Sequence, residues 1–399
     1  MVMMAIRKGM DAGILRAEAG QNAIFTGAIV IGAGGAGLTA AHALLNAGSP
    51  VMVLEKEARL AEPWHRRHEQ LHLNTHRDLS ALPGVSFPTG TLAFPHRTDV
   101  IAHLNEFRTT HRLPVEFGIA VEEIAFKGDH WLVRTSAGPR LTRHVVIATG
   151  RDRLPFVPAW KGMQTFAGRI IHSAEFGDAD DYAGKKILVV GAGNSGFDAL
   201  NHLARVDTAQ IWLSARNGPA LLPKRIGQIA VHRFSPILAR LPFKLADAVI
   251  AATQRLVFGD LAAFGLPPTP AGGASRLASE YTAIAADDGA VDAIKAGRII
   301  VLPMVREFTR DAVVFDNGAT IEPDIVIAAT GYRTGLETMV GKLSVLDEKG
   351  VPVFNGADSD PKLPGLWFTG MRPSIRGCFA NARIQAAAIA AKIAPQQER

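Results

Sequence analysis

Two stretches of the chain share one pattern of apolar and small residues. Ala28 to Ile31 is an unbroken apolar run, read as a buried strand, that enters the turn Gly32-Ala-Gly34-Gly35-Ala-Gly37. A helical run from Leu38 to Ala47 follows. Lys186 to Val190 has the same character; it enters Gly191-Ala-Gly193-Asn194-Ser195-Gly196 and then a helical run from Phe197 to Ala204. After each helix comes a further apolar strand, Val51 to Leu54 and Gln210 to Leu213. Strand, G-x-G-x-x-G, helix, strand is the opening of a βαβ dinucleotide unit, written here twice. The expected fold class is α/β, with two Rossmann-like βαβ domains.

A second pair of elements repeats as well. Val145 to Gly150 and Ile325 to Gly331 are apolar strands that end in Ala-Thr-Gly, at Thr149-Gly150 and Thr330-Gly331. In two-dinucleotide-binding-domain flavoproteins such strands close a nucleotide domain where the chain crosses over. The expected organisation is an N-terminal extension over 1–26 and the first part of an FAD domain over 27–165. A nicotinamide-nucleotide domain inserted over 166–324 carries a helical insertion near 236–290. The FAD domain then resumes over 325–399, with Leu366 to Gly370 as its last strand and a helix from about Ala380. The amphipathic stretch from Leu245 to Phe264 is expected to cover a substrate channel.

Composition narrows the classes. With 399 residues, 48% hydrophobic and 20% charged, the chain is globular and long enough for two domains. A net charge of +6 without a block of basic and aromatic residues gives no nucleic-acid signature. The single cysteine, Cys378, excludes a dithiol redox centre and fits a reducing, cytoplasmic compartment. No run of about 20 uncharged apolar residues is present to span a membrane. A homodimer is left open.

The glycines have separate tasks. Gly32 and Gly191 permit the tight turn, Gly34 and Gly193 let backbone approach a pyrophosphate, and Gly37 and Gly196 let helix and strand pack. The helix N-terminus then holds phosphate charge. Aligned on their first glycines, the two units differ. Glu55 ends the second strand of the first unit, where an acid accepts ribose hydroxyls and repels a 2′-phosphate. The same count in the second unit reaches Ser214, with Arg216 two residues on. A cation there suits a 2′-phosphate, so the second site is expected to take NADPH and the first FAD.

Between the units stands Phe166-Ala-Gly168-Arg-Ile-Ile-His172-Ser-Ala-Glu-Phe176. This matches F-x-G-x-x-x-H-x-x-x-F/Y, the fingerprint of class B flavin monooxygenases. From about residue 27 the chain resembles the flavin-containing monooxygenase family, especially its YUCCA-like branch. Further matches are Trp64 with Arg66 and Arg67, Leu71-His72-Leu73, Leu82-Pro83-Gly84 and Ala329-Thr330-Gly331-Tyr332. The chain departs from the animal enzymes at Leu60-Ala-Glu-Pro-Trp64, where those have G-G-x-W. It departs from the Baeyer–Villiger fingerprint at Phe176 and Gly177, where that pattern has Trp and Pro.

The resemblance implies that NADPH reduces FAD, and that the reduced flavin forms a C4a-(hydro)peroxyflavin that oxygenates a small organic substrate. It points to oxidative decarboxylation of a 2-oxo acid such as indole-3-pyruvate, with N- or S-oxygenation, or reduction without oxygenation, as alternatives. The implied catalytic residues are Asn74, whose amide would face the flavin ring, and His172, which would organise the linker between domains. The implied cofactor-binding set is Gly32, Gly34, Gly35, Gly37, Glu55, Trp64, Thr149 and Gly150 for the first site. For the second it is Gly191, Gly193, Asn194, Ser195, Gly196, Ser214, Arg216, Thr330 and Gly331. His65, His68, His72 and His76 have the spacing of helical metal ligands, but Leu71 and Leu73 alternate around His72 as in a strand, and no metal is expected.

Overall fold

A computed structural model describes residues 24–394. Most of the expected N-terminal extension, residues 1–23, lies outside the described residues, and the first strand already begins at Ile24. The chain opens as β1 (Ile24–Ile31), α1 (Gly35–Asn46) and β2 (Val51–Glu55), followed by α2 (Arg97–Thr110), β3 (Val115–Phe117), β4 (Val121–Lys127), β5 (His130–Thr135) and β6 (Arg140–Ile147). It then runs through β7 (Arg169–His172), β8 (Lys186–Val190), α3 (Asn194–Leu203), β9 (Gln210–Ser214), α4 (Phe243–Phe258), α5 (Gly273–Ser279), β10 (Ile299–Leu302) and β11 (Ile325–Ala328). It ends with β12 (Leu366–Phe368) and α6 (Cys378–Ile393).

Two sheets follow from this order, the second all parallel and the first parallel except where β5 and β4 join it antiparallel. The first runs β3-β2-β1-β6-β5-β4, with β12 beside β6; the second runs β10-β9-β8-β11-β7. The parallel strands β1, β8 and β11 end in apolar runs without alternation because both their faces are covered. On β1, Ala28 and Val30 pack under Leu38, Leu44, Leu104 and Ile389, while Ile29 and Ile31 pack on the other face with Met339, Val340 and Phe368. In the second sheet Ile187 and Val189 face Phe197 and Leu200, and Leu188 faces Phe308 and Phe315. A side-chain period of two thus sorts one apolar run into two cores.

Two expected boundaries move. Ile325–Ala328 was expected to resume the FAD domain, but β11 pairs with β8 and β7 in the second sheet. Trp160, Met163 and Phe166 pack against the core of that same sheet, so residues 156–165 also belong to the inserted domain. The two crossings lie side by side, where Leu154–Pro155 pairs antiparallel with Tyr332–Arg333. The reason is topological: each strand that ends in Ala-Thr-Gly pairs with the first strand of its own unit before the chain leaves that sheet, β6 with β1 and β11 with β8. Within residues 236–290 lie α4 and α5, packed on each other.

Candidate active site

The two glycine turns are near copies. Gly32 and Gly191 have φ of +100° and +113°, which glycine alone adopts freely. A Cβ on either would also meet the carbonyl oxygen of Ala148 or Ala329 at 2.8 or 2.5 Å. On Gly37 or Gly196 a Cβ would stand 1.8 or 1.9 Å from the carbonyl oxygen of Gly32 or Gly191. Gly34 and Gly193 differ: nothing lies within 4 Å of the added atom, so the space before each helix is open to a ligand. Neither α1 nor α3 has a side-chain cap or an acid in its first turn. Their first amides therefore remain free for phosphate oxygens.

Glu55 is bound into the first turn. The Ala33 N–H donates to its Oε2 at 2.7 Å and the Glu57 N–H to its Oε1 at 3.0 Å. The equivalence drawn from sequence counting needs correction by one residue. Ile31 sits opposite Leu54, whereas Val190 sits opposite Ser214, so Ala215 rather than Ser214 occupies the place of Glu55. Ser214 takes the place of buried Leu54, which explains why it is itself buried and donates its hydroxyl to the Pro303 carbonyl at 2.6 Å. Arg216 follows Ala215, exposed, and pairs with no carboxylate among the described residues.

Around the turns, Trp64 stacks on Phe379, whose ring lies against Gly35. Gly150 and Gly331 have φ of +81° and +87° and turn the chain out of each sheet. Thr149 reaches the Met371 sulfur at 4.0 Å, and Thr330 donates to the Phe156 carbonyl of the neighbouring crossing. α6 starts at Gly377 beside Thr75, without a side-chain cap. Cys378, the first residue of α6, is exposed.

The implied catalytic residues both sit where the domains meet. The Asn74 Nδ2 donates to Asn194 Oδ1 at 2.9 Å, joining the FAD half to the first residue of α3. Its own Oδ1 is buried without a partner, an acceptor left for a bound group. His172 is buried; its Nδ1 accepts the Ala174 N–H at 3.0 Å, so Nε2 carries the proton and donates to the Gly331 carbonyl at 2.9 Å. Burial holds its pKa below the ordinary value, against the opposing pull of the Gly331 carbonyl. Both ring nitrogens are thus engaged by backbone groups.

Sequence reasoning missed three contacts across the same seam. His68 Nε2 pairs with Asp198 at 2.9 Å, Arg67 with Tyr332, and Gln70 with Asp178. Burial alone would raise the Asp198 carboxyl, but the His68 hydrogen bond keeps it low. The four spaced histidines do not converge, because the helix there is one turn, Glu62–His65. The His72 ring turns to His96, and the His76 ring to Phe94 with its Nδ1 accepting the Asp78 N–H at 3.3 Å. His68 does meet Asp198 and His202, with ligand atoms within 4.8 Å, a set in which the short contact is the His68–Asp198 hydrogen bond. A cleft of about 430 Å³ opens beside it, lined by His72, Phe94, His202, Arg205, Lys224 and Arg225.

Comparison with known proteins decides the family. The rice (Oryza sativa subsp. japonica) protein named indole-3-pyruvate monooxygenase YUCCA1 is 35% identical over 317 residues, covering 78% of this chain and 77% of the relative. This chain belongs to the class B flavin monooxygenases of the YUCCA type. A probable indole-3-pyruvate monooxygenase, YUCCA9 of Arabidopsis thaliana, is 28% identical over 366 residues and covers 89% of the chain and 87% of the relative. A family model described as pyridine nucleotide-disulphide oxidoreductase matches residues 29–220. The fold is that of a flavin-containing monooxygenase from Stenotrophomonas maltophilia, with a TM-score of 0.70, 23% identity, and coverage of 92% and 99%. Cyclohexanone monooxygenase shares it with a TM-score of 0.68 and 17% identity over 93% of this chain and 88% of that one. The protein is thus a flavin-dependent monooxygenase that uses a pyridine nucleotide, and a plain reductase is not favoured. No described helix is long and apolar enough to cross a membrane.

Proposed function

We propose that FAD binds at the Gly32–Gly37 turn and NADPH at the Gly191–Gly196 turn, and that the substrate is a 2-oxo acid such as indole-3-pyruvate. The observation that carries this reading is the Asn74–Asn194 contact, which ties the segment around Asn74 in the N-terminal domain to the second glycine turn at the start of α3. The residues fit both groups. Open space at Gly34 and Gly193, two uncapped helix starts, Glu55 at the first turn and Arg216 at the second are what an FAD and a 2′-phosphorylated nucleotide require.

Bound flavin supplies the hydride acceptor and the activation of dioxygen. The chain's residues orient and shield. Asn74 offers its unpaired Oδ1 into the seam while its Nδ2 is held by Asn194. His172 fixes the Gly331 carbonyl at the domain crossing and so sets the angle between the nucleotide sites. The balance for a 2-oxo acid is NADPH, a proton and dioxygen consumed, with the acid shortened by one carbon, carbon dioxide, NADP⁺ and water formed. The names of the relatives favour this substrate class over amines and sulfides. A cytoplasmic location goes with the reading, and light scattering decides whether the chain is a homodimer.

The test is NADPH-dependent conversion of indole-3-pyruvate to indole-3-acetate by the purified yellow enzyme, with one ¹⁸O atom from labelled dioxygen in the product. NADPH oxidation that releases only hydrogen peroxide across a panel of 2-oxo acids would refute it. Oxygenation of an amine or sulfide in place of the acid would transfer the reading to the alternative.

A further inference from the structure

The helical insertion carries a surface that a water-facing domain does not need. Of the 17 large hydrophobic side chains exposed among the described residues, 10 fall within residues 226–264. Six of these, Phe243, Leu245, Val249, Leu256, Val257 and Phe264, lie on α4 or just beyond it, and Leu256 is 88% exposed. The inner side of α4 is already used, where Ala246 and Ile250 pack with Ala220, Ala274 and Ile375. A helix that is apolar on both its packed and its open side is one whose open side becomes covered.

Charge selects what covers it. Residues 224–264 hold six basic side chains and two acidic ones. Of the two acids, Asp247 is turned inward to the Ala274 and Ser275 amides and Asp260 caps the Ala262 amide. On α4 itself Lys244 and Arg255 are exposed and pair with no carboxylate among the described residues. A second copy is a poor match, because antiparallel pairing of two such helices would bring Lys244 against Arg255 of the other, and parallel pairing would oppose each to itself. An anionic lipid surface matches both features at once, apolar side chains for the acyl boundary and cations for the headgroups. At 16 residues α4 is too short to span a bilayer and suits lying in its interface.

We propose that the outward face of α4 docks the enzyme on an anionic phospholipid membrane. Ile375, packed on the inner side of α4, lies two residues before Gly377, which touches Thr75 at the candidate site. Docking would therefore hold the lipid on the opposite side of α4 from the segment that leads to Gly377.

The full-length, FAD-loaded protein is sedimented with vesicles of mixed phosphatidylglycerol and phosphatidylcholine, and with vesicles of phosphatidylcholine alone. Binding is expected to the anionic vesicles and to fall at high salt. Leu256→Asp should weaken it about 10-fold or more, and Lys244→Glu with Arg255→Glu about 20-fold or more. Both variants should keep full flavin content, since the mutated side chains face outward. Absence of binding, equal binding to neutral vesicles, or binding unchanged in Leu256→Asp overturns the proposal. So does a dimer, measured by light scattering, that Leu256→Asp converts to a monomer, for then the face is covered by a second copy.

Discussion

Replacing Arg216 by Ala tests the assignment of the second nucleotide site. Arg216 is the first cation after β9, exposed, and free of any carboxylate partner among the described residues. It therefore reaches a 2′-phosphate without first breaking a native ion pair. A charge-assisted hydrogen bond is worth about 1.5–3 kcal/mol when desolvated, and solvent screening of an exposed guanidinium moves the figure toward about 1–2 kcal/mol. That corresponds to a rise of roughly 5- to 30-fold in the apparent KM for NADPH. KM for NADH should stay nearly constant, because NADH has no phosphate at that place. The limiting rate of flavin reduction, followed by stopped-flow absorbance, should also hold, since the hydride leaves from the other end of the nucleotide. Arg216→Lys should recover part of the loss by restoring charge without the planar fork. Loss of NADH and NADPH use together would make Arg216 a structural residue, and a parent enzyme that prefers NADH would refute the whole argument.

Three further outcomes are expected. Gly34→Val should purify colourless and melt near the Tm of the parent stripped of flavin, since the new side chain meets only ligand space, whereas Gly37→Ala should lose about 3 kcal/mol or more of stability; flavin absorbance and thermal melts separate the two. Asn74→Ala removes the bond to Asn194, which should cost about 1 kcal/mol of stability and raise the hydrogen peroxide released per NADPH oxidised, as read by a peroxidase assay. Burial lowers His103 and His202 to about 4. The unfolded chain thus takes up protons that the folded one refuses, so stability is full above about pH 6.5 and declines as the pH falls toward 4. His103→Gln should flatten that decline in Tm, because His103 Nε2 accepts the Leu82 N–H at 3.0 Å only while unprotonated; an unchanged slope would remove His103 from the acid response.

Local patterns were the legible part of the fold. Glycine turns, apolar strands and their helices depend on neighbours within a few residues, so both βαβ units could be placed from spacing alone. Register was less legible. The strand pairs Ile31–Leu54 and Val190–Ser214 differ in separation by one residue, which moved the place of Glu55 from Ser214 to Ala215. Nothing in an apolar run of this kind marks which residue faces which. The domain boundary failed for a related reason, since Ile325–Ala328 and Val145–Ile147 carry the same signal and only pairing shows which sheet each completes.

The site divides along the same line. Residues that touch backbone of their own unit, such as Glu55 to Ala33, were found by motif. Those that hold the two domains together were not, apart from Asn74 and His172, which entered through family resemblance. His68 and Asp198 are 130 residues apart in the chain, and Arg67 and Tyr332 are 265 apart. Each looks like an ordinary polar residue until folding brings its partner. This seam is also where the chemistry must be set, because hydride transfer demands that two separately bound cofactors meet at a fixed angle. Asn74, His68 and Arg67 each link the N-terminal domain to the inserted domain or to the crossing between them, and His172 holds the Gly331 carbonyl at that crossing. Variants at the seam should therefore alter coupling between NADPH oxidation and oxygenation before they alter cofactor affinity, whereas variants in the glycine turns should do the reverse.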